Sequence, residues 1–329
     1  MAGLLVSHRF NAKYGADFVA AAKNNSVDLE LLVLPADPEA RIADADAARA
    51  SVAYFSSDIF PSHTKQFFSA TRKATALKWM QVFNAGVDHP VFASVLERGV
   101  RLTTSSGTAA APIAQTAIAG MLLLARNFPR WLAGQREHKW NPMLPADFPR
   151  DLRGQTMLVY GLGPIGVEIA RLARLLGFNT IGVRRSAARV EHIDEMHTPD
   201  KLNELLPKAD WLVIACPLTD ETRGMVNAAL LAKLPRGAYV INISRGEVVD
   251  EAALVAALQS GHIAGAYLDV FMQEPLPAVS PLWDMPNVVV TPHNAGASAG
   301  SDPRINTLFL DNLKRWKARQ PLINEVTKS

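Results

Sequence analysis

The sequence predicts an α/β fold with two doubly wound parallel sheets, each forming its own domain. The chain has 329 residues, 49% of them hydrophobic. A chain of this length is longer than a single hydrophobic core accommodates, because cores stop growing at roughly 250–300 residues. Short apolar runs alternate with helical segments, which is the pattern of a parallel sheet covered by helices. The alternation starts again after an irregular, proline-containing loop at Asn141–Arg150, so we expect two sheets rather than one.

The first series of elements lies before this loop. Its strand candidates are short and apolar, and helical segments such as Ala16–Lys23 and Ser62–Arg72 separate them. This order of elements is typical of a parallel α/β layer. The predicted strands are Leu4–Val6, Leu29–Leu34, Val52–Phe55 and Trp79–Phe83.

The second series follows the loop, with helices such as Ile165–Leu176 and Glu251–Gln259 between its strands. After it comes an amphipathic segment, Pro303–Arg319, which we expect to pack back onto the first unit and make that domain discontinuous. The predicted strands are Met157–Tyr160, Thr180–Val183, Trp211–Ala215, Ala238–Ile243, Gly265–Val270 and Val288–Val290.

Composition narrows the class of partner. The 34 Lys+Arg residues nearly balance the 31 Asp+Glu residues, so no broad basic field favours nucleic acid or a membrane surface. Cys216 is the single cysteine, in an apolar stretch, and a buried thiol in a reducing compartment is expected. Met1–His8 lacks the features of a secretory signal, and the apolar segment Ala109–Ala125 is too short to span a bilayer. We therefore expect a cytoplasmic protein with a small-molecule partner and no metal site.

A glycine-rich run follows the first strand of the second series. Gly161, Gly163 and Gly166 have GxGxxG spacing, and the run leads from the strand Met157–Tyr160 into a helical segment. In a dinucleotide-binding turn the first glycine permits the tight turn, the second lets the backbone approach the pyrophosphate, and the third allows close helix packing. The spacing alone is weak evidence, but the strand before it and the helix after it favour a dinucleotide site.

The next strand ends in a basic tip. Thr180–Val183 runs into Arg184, Arg185 and Ser186, where an NAD-binding fold usually places an acid for the ribose hydroxyls. Two guanidinium groups and a hydroxyl suit the 2′-phosphate of NADP instead. The alternative is an ordinary solvated basic loop.

Three ionisable residues, Arg245, Glu274 and His293, each come shortly after a predicted strand of the second series. Parallel strands end at one sheet edge, where ligands bind in open α/β folds. Together they suit the reduction of a keto acid: the arginine binds the substrate carboxylate and carbonyl, the histidine donates a proton, and the glutamate keeps the imidazole charged. Singly, each residue has an ordinary structural interpretation.

With these motifs the sequence resembles the D-isomer-specific 2-hydroxyacid dehydrogenases, particularly the glyoxylate and hydroxypyruvate reductases, over nearly the whole chain. The matching segments are Gly161–Gly166, Pro217–Thr222, Leu234–Leu254, Leu268–Leu276 and Pro286–His293.

The resemblance implies a Rossmann dinucleotide-binding domain at residues 105–294 and a discontinuous, flavodoxin-like substrate domain at residues 1–104 and 295–329. It implies Arg245 as substrate anchor, His293 as general acid/base and Glu274 as the partner of His293. It also implies a nicotinamide cofactor, NADPH rather than NADH because Arg184 stands at the position of the usual acid. Further cofactor-binding residues implied by the resemblance are Pro164, Ile165, Cys216, Pro217, Thr222, Ile243 and Asp269.

The resemblance also concerns substrate binding and assembly. The loop Asn84–Asp88 matches the family loop whose amides receive the substrate carboxylate, here those of Ala85 and Gly86. Trp140 is the candidate for a tryptophan that reaches the partner subunit's pocket in the reductases, although packing on its own domain is the simpler interpretation. The apolar helix at Thr108–Leu124 predicts a homodimer, because the family dimerises through this region.

Three other activities are alternatives to the reductase. The corepressor branch of the family keeps the catalytic residues but acts as a dinucleotide-sensing binding module. Formate dehydrogenases carry glutamine where Glu274 stands, and an NAD-linked D-lactate or phosphoglycerate dehydrogenase is the third alternative. Turnover of glyoxylate or hydroxypyruvate with NADPH distinguishes the reductase from the binding module.

Overall fold

The computed structural model describes residues 2–326. Within them the chain divides into two compact units, with boundaries between Thr108 and Ala109 and between Ser298 and Ala299. The predicted boundaries, after residues 104 and 294, lie a few residues before these.

The strands are β1 (Ala2–Val6), β2 (Leu29–Val33), β3 (Ala50–Phe55), β4 (Trp79–Val82), β5 (Arg101–Thr103), β6 (Thr156–Tyr160), β7 (Asn179–Val183), β8 (Glu195–His197), β9 (Trp211–Ile214), β10 (Ala238–Asn242), β11 (Ile263–Leu268) and β12 (Val288–Val290). The α-helices are α1 (His8–Phe10), α2 (Ala16–Asn24), α3 (Asp44–Ala48), α4 (Thr64–Lys73), α5 (Pro90–Glu97), α6 (Ala110–Ala125), α7 (Phe128–Arg136), α8 (Pro164–Leu175), α9 (Leu202–Leu205), α10 (Ala228–Leu231), α11 (Glu251–Gln259) and α12 (Ser301–Lys317).

The first unit contains a five-stranded parallel sheet in the order β2-β1-β3-β4-β5. This is the flavodoxin-like doubly wound order, in which the direction of winding reverses between β1 and β3. The predicted strands of the first series are all present. The short strand β5 was not predicted, since its three residues form no distinct apolar run.

Alternation along the strands gives this sheet two apolar faces. In β1, Leu5 belongs to the core on one face and Leu4 to the core on the other. The second core includes Phe309 of α12, whose ring lies 4.5 Å from that of Tyr54 and 5.1 Å from that of Trp79, centroid to centroid. The C-terminal helix therefore packs on the first unit, as the amphipathic pattern predicted.

The second unit contains a seven-stranded parallel sheet in the order β12-β11-β10-β9-β6-β7-β8. Counted from β6 as the first strand, this is the Rossmann order 3-2-1-4-5-6 with one more strand after the sixth. The direction of winding reverses between β6 and β9, so the crevice for a dinucleotide is expected at their carboxyl ends. The strand β8 was missed because its three residues contain one apolar side chain, Met196, between two polar ones and so form no apolar run.

The apolar helix α6 packs in the core of the second unit. Gly120 faces Tyr267 of β11 so closely that an added Cβ would come within 2.4 Å of the ring. Ala114, Ala117 and Met121 of the same helix are fully buried. In the part of the chain that the structure describes, no helix is both long and apolar enough to cross a membrane.

The packing of α6 on Tyr267 generates a stability test. Alanine favours helix formation over glycine by about 1 kcal/mol, but overpacking a filled core costs about 1–3 kcal/mol. Tyr267 cannot yield easily, because it is 1% exposed and its hydroxyl is hydrogen-bonded to Thr291. We therefore expect Gly120→Ala to lower the free energy of unfolding measured in urea. The exposed control Gln115→Ala on the same helix changes it little, and a stabilised Gly120→Ala protein would contradict this packing.

Candidate active site

The glycine-rich turn connects β6 to α8 at the winding reversal of the second sheet. Gly161 has a φ of 102°, a left-handed conformation that favours glycine, and a Cβ there would lie 2.4 Å from the amide nitrogen of Cys216. A Cβ on Gly166 would lie 2.0 Å from the carbonyl oxygen of Gly161. Each of these positions excludes a side chain, so the turn and the helix can approach closely.

Gly163 differs from its two neighbours because nothing lies within 4 Å of its missing Cβ. It precedes α8, a twelve-residue helix that begins with Pro164 and Ile165. A helix N-terminus offers unpaired amides and a positive dipole end, and an open glycine beside it leaves room for a diphosphate. The turn therefore fits the dinucleotide that the sequence predicted.

The basic tip of β7 is a loop tied together by one of its arginines. Arg184 donates from Nε to the carbonyl oxygen of Ser186 at 2.9 Å and from Nη2 to that of Ala188 at 3.1 Å. Ser186 accepts a hydrogen bond from the Ala188 amide at 3.3 Å. Arg185 is exposed. The guanidinium of Arg184 is thus held in place on the loop, while that of Arg185 extends into solvent.

A second loop, after β9, faces this tip. The hydroxyl of Thr222 donates to the carbonyl oxygen of Pro217 at 2.8 Å and accepts from the amide of Thr219 at 2.8 Å, which closes the loop. The pKa of Glu221 in this loop is lowered mainly by the hydrogen bond from the Thr219 hydroxyl, and also by the positive charge of Arg185. Arg185 therefore lies close enough to this loop for its charge to act on Glu221.

Cys216 begins the loop after β9 and is buried. Burial raises the pKa of its thiol to about 11, so the thiol stays protonated at neutral pH. Ile243, which follows the neighbouring strand β10, is 8% exposed, and its amide donates to the carbonyl oxygen of Ile214 at 3.2 Å. The interpretation of Cys216 as a small buried apolar side chain is confirmed.

Glu274 and His293 form the polar pair at the carboxyl edge of β11 and β12. His293 Nδ1 lies 2.7 Å from Glu274 Oε2, and the other carboxylate oxygen accepts from the Phe271 amide at 3.1 Å. Nearly half of the His293 side chain is exposed. The backbone of His293 is left-handed, with a φ of 51°, and its amide donates to the carbonyl oxygen of Asp269 at 2.8 Å. The carboxylate thus fixes one ring nitrogen and leaves Nε2 for proton transfer.

Arg245 lies just beyond β10, in a turn that Asn242 supports. The buried Asn242 side chain donates to the carbonyl oxygen of Arg245 at 3.0 Å and accepts from the amide and the hydroxyl of Ser244. Gly246 follows, and a Cβ there would lie 1.9 Å from the backbone of Phe271. The loops after β10 and β11 therefore pack together, and three neighbouring strands bring the predicted residues to one edge.

Asp269 directly follows β11, and several hydrogen bonds orient its carboxylate. Its Oδ1 accepts from the Thr291 hydroxyl at 2.6 Å and from the amides of Asn294 and Ala295 at 2.9 and 3.1 Å. Burial raises the pKa of Asp269, and the Thr291 hydrogen bond opposes that rise. The other oxygen, Oδ2, accepts only a longer hydrogen bond from Ala295, at 3.3 Å, among the residues described. It is the atom most available to a ligand donor.

The predicted substrate loop lies in the first unit, after β4. Ala85 is exposed and Gly86 half-buried, and the Asn84 side chain donates to the carbonyl oxygen of Gly86. Among residues 2–326, no acceptor is found for the amides of Ala85 and Gly86. Trp140, on the loop after α7, is 96% exposed, so it does not pack on its own domain as the simpler interpretation expected.

Sequence reasoning missed the residues that support the site. Asn242 and Thr291 orient Arg245 and Asp269, and Tyr267 donates or accepts one more hydrogen bond at Thr291, at 2.8 Å. Asn242 gives one usable signal, because a polar amide at the end of a buried strand needs partners. Thr291 gives none beyond its place before a proline.

The fold and these residues define a dinucleotide-binding oxidoreductase. Residues 118–295, more than half of the chain, match the family described as D-isomer specific 2-hydroxyacid dehydrogenase, NAD binding domain. The chain belongs to this family of NAD(P)-dependent enzymes.

Individual relatives are similar over most of their length. A glyoxylate/hydroxypyruvate reductase B of Citrobacter koseri is 36% identical over 73% of this chain and 75% of its own. A glyoxylate reductase of Korarchaeum cryptofilum is 34% identical over 78% and 79%. A D-isomer specific 2-hydroxyacid dehydrogenase of Xanthobacter autotrophicus, solved with NADPH and MES, is 34% identical with a TM-score of 0.78, covering 99% of this chain and 98% of that one.

The Thr291 hydrogen bond generates a test of the Asp269 environment. Thr291→Val removes a donor to the carboxylate, so we expect the pKa of Asp269, already above its ordinary 3.8, to rise further. The pKa of Asp269 is higher in the folded than in the unfolded protein, so protonated Asp269 contributes to the free energy of unfolding at pH values below the ordinary 3.8. This contribution is lost as the pH rises through the pKa of the folded state. Carboxyl ¹³C NMR titration measures the change. Thr291→Ser keeps the hydroxyl and serves as control; identical titrations of Asp269 in the valine and serine variants would contradict this assignment.

Proposed function

We propose that the protein reduces a small 2-keto acid of the glyoxylate or hydroxypyruvate type to the D-2-hydroxy acid, with NADPH as the hydride donor. The observation that carries this proposal is the hydrogen bond between His293 and Glu274 at the carboxyl edge of the dinucleotide-binding sheet. Reductase relatives from Citrobacter koseri and Korarchaeum cryptofilum support the substrate class.

In this mechanism His293 is the general acid. Glu274 accepts a hydrogen bond from Nδ1 and stabilises the imidazolium, so Nε2 donates its proton to the carbonyl oxygen of the keto acid. A nicotinamide cofactor held at the glycine-rich turn after β6 would supply the hydride that the carbonyl carbon accepts. In the reverse direction the neutral imidazole accepts the hydroxyl proton. A glutamate rather than a glutamine at this position favours proton transfer and argues against formate oxidation.

Arg245 binds the substrate carboxylate and polarises the carbonyl, because its guanidinium presents parallel N–H donors to two oxygens. Ala85 and Gly86 are further candidates for carboxylate binding, because no acceptor is found for their amides among the described residues. Asp269 Oδ2 would accept a hydrogen bond from the carboxamide of a bound nicotinamide. The other residues that would hold the dinucleotide are Gly161, Gly163, Pro164, Ile165, Gly166, Cys216, Pro217, Thr222 and Ile243.

NADPH is the preferred cofactor in this proposal, because Arg184, Arg185 and Ser186 follow β7 where an acid would repel the 2′-phosphate. The fixed position of Arg184 and the exposure of Arg185 suit phosphate binding. A Rhizobium etli relative, 27% identical, was solved with NADP.

A homodimer completes the proposal. Apolar side chains are exposed on α7 and the loop after it rather than on α6, whose apolar residues largely pack within their own unit. Such a patch marks an interaction surface. Trp140 lies within it and is proposed to reach the partner subunit's pocket. The exposed side chains are Phe128, Trp131, Leu132, Trp140, Leu144 and Phe148.

The His293–Glu274 pair is tested by two variants. We expect His293→Ala to lower kcat/KM for hydroxypyruvate by about 10²–10⁴-fold with NADPH binding unchanged, because general acid catalysis contributes that much. Glu274→Gln keeps the shape of the side chain but not its charge, so we expect kcat/KM to fall in this variant as well, with NADPH binding unchanged. Stopped-flow absorbance of NADPH measures both. Full activity in His293→Ala would exclude the mechanism.

Cofactor preference is tested at the β7 tip. One or two charge-assisted hydrogen bonds of roughly 1.5–3 kcal/mol each give at least about tenfold preference for NADPH, toward the lower end because the loop is exposed. We expect the double variant Arg184→Asp, Arg185→Ala to prefer NADH over NADPH. The change is expected mainly in the KM for the cofactor, since the 2′-phosphate is bound equally in the ground and transition states. Arg236→Ala, at the amino end of β10, is the control. If the wild type has an equal or higher kcat/KM with NADH, the two arginines belong to an ordinary solvated loop and do not select the cofactor.

Assembly is tested on α7. We expect light scattering at micromolar concentration to give a dimer for the wild type and a monomer for Trp131→Glu with Leu132→Glu, since two charges cannot be buried unpaired in an apolar interface. The exposed neighbour Gln135→Glu leaves the dimer intact. A monomeric wild type would show that the patch serves another purpose.

A further inference from the structure

A second cleft lies in the first unit, and none of the residues assigned above is among the described ones that line it. The winding of this unit's sheet reverses between β1 and β3, and such a reversal opens a crevice at the carboxyl ends of the two strands. A shallow, open cleft is present there. The proposed carboxylate-binding loop follows β4, and its residues are not among the described ones that line the cleft.

Charged side chains of both signs line this cleft. Arg9 and Lys13 come from the segment after β1, Asp58 from the segment after β3, and Asp302 from the first turn of α12. Their formal charges cancel. A lone anion would face two carboxylates and a lone cation two basic groups, so a net-neutral ligand with both charges fits the cleft best.

The cations have hydrogen-bonding capacity left. Among residues 2–326, no acceptor is found for the Arg9 guanidinium, whose N–H groups form a fork that matches a carboxylate. Lys13 Nζ lies 3.7 Å from Asp302 Oδ2, which is longer than a hydrogen bond. Both side chains are exposed, so a ligand can reach them.

The acids have capacity left as well. Asp302 accepts from the hydroxyls of Tyr14 at 3.2 Å and Ser57 at 3.1 Å, whereas a carboxylate offers about four acceptor sites. Its side chain is 39% exposed. Asp58 accepts from Ser56 through Oδ1, and its Oδ2 is buried with no hydrogen-bond partner among the described residues.

We propose that this cleft binds a small zwitterion, a free α-amino acid, with its carboxylate on Arg9 and its ammonium group on Asp302. The buried Tyr54 also lines this cleft, and its hydroxyl donates to the Asn306 side chain at 3.2 Å. This site is independent of the proposed reduction and of its substrate, because none of its residues belongs to the catalytic site.

Isothermal titration of the full chain with glycine and L-serine tests the site. We expect saturable binding in the roughly millimolar range, and binding of acetate or methylamine at least about tenfold weaker, since each single charge meets only half of the site. Arg9→Gln and Lys13→Gln change exposed side chains and are expected to weaken glycine binding, Arg9→Gln by about tenfold. The matched control Arg72→Gln, an exposed arginine of α4, leaves it unchanged.

Oxamate, a mimic of the keto acid, separates this cleft from the catalytic site. We expect saturating oxamate to leave glycine binding unchanged, and Arg9→Gln to keep the wild-type kcat/KM for hydroxypyruvate. No saturable glycine binding, equal binding by wild type and Arg9→Gln, or displacement of glycine by oxamate would each overturn the proposal. None of these outcomes depends on whether the chain reduces keto acids.

Discussion

The 2.7 Å hydrogen bond between Glu274 and His293 exists because neighbouring parallel strands end at the same edge of one sheet. The loop after β11 brings the carboxylate, the loop after β12 brings the imidazole, and β10 supplies Arg245 beside them. A left-handed backbone at His293 and the hydrogen bond from its amide to the Asp269 carbonyl oxygen hold the ring at that edge. Proton donation then requires only a carbonyl within reach of Nε2, which makes strand order the first requirement of the chemistry.

Close backbone contacts give the site its rigidity, and they explain where glycine occurs. Gly161 and Gly166 bring the turn after β6 against β9 and α8, and Gly246 brings the Arg245 loop against Phe271. At all three positions a Cβ would overlap main-chain atoms, which cannot move away cheaply. Gly163 is the exception, since its missing side chain leaves open space instead of contact. Packing thus accounts for three glycines, and the fourth is better explained by a ligand than by the fold.

Much of this arrangement could be predicted from the sequence, because it shows in the spacing of apolar residues and in the polar residues that follow each apolar run. Apolar runs located ten strands, and polar residues after the ends of such runs located Arg245, Glu274 and His293. The short edge strand β8 carries polar side chains and could not be found from hydrophobicity. Thr291 could not be found either, because its role depends on a contact with Asp269 across 22 positions of the chain. The cleft at the first sheet combines residues from three distant segments, and no local pattern marks it.

The central claim is that His293 protonates a 2-keto acid while hydride arrives on one defined face of its carbonyl. Chiral analysis of the glycerate formed from hydroxypyruvate and NADPH tests this claim most directly. We expect D-glycerate as the single enantiomer. Formation of L-glycerate or of a racemate, or tight NADPH binding without any product, would contradict it.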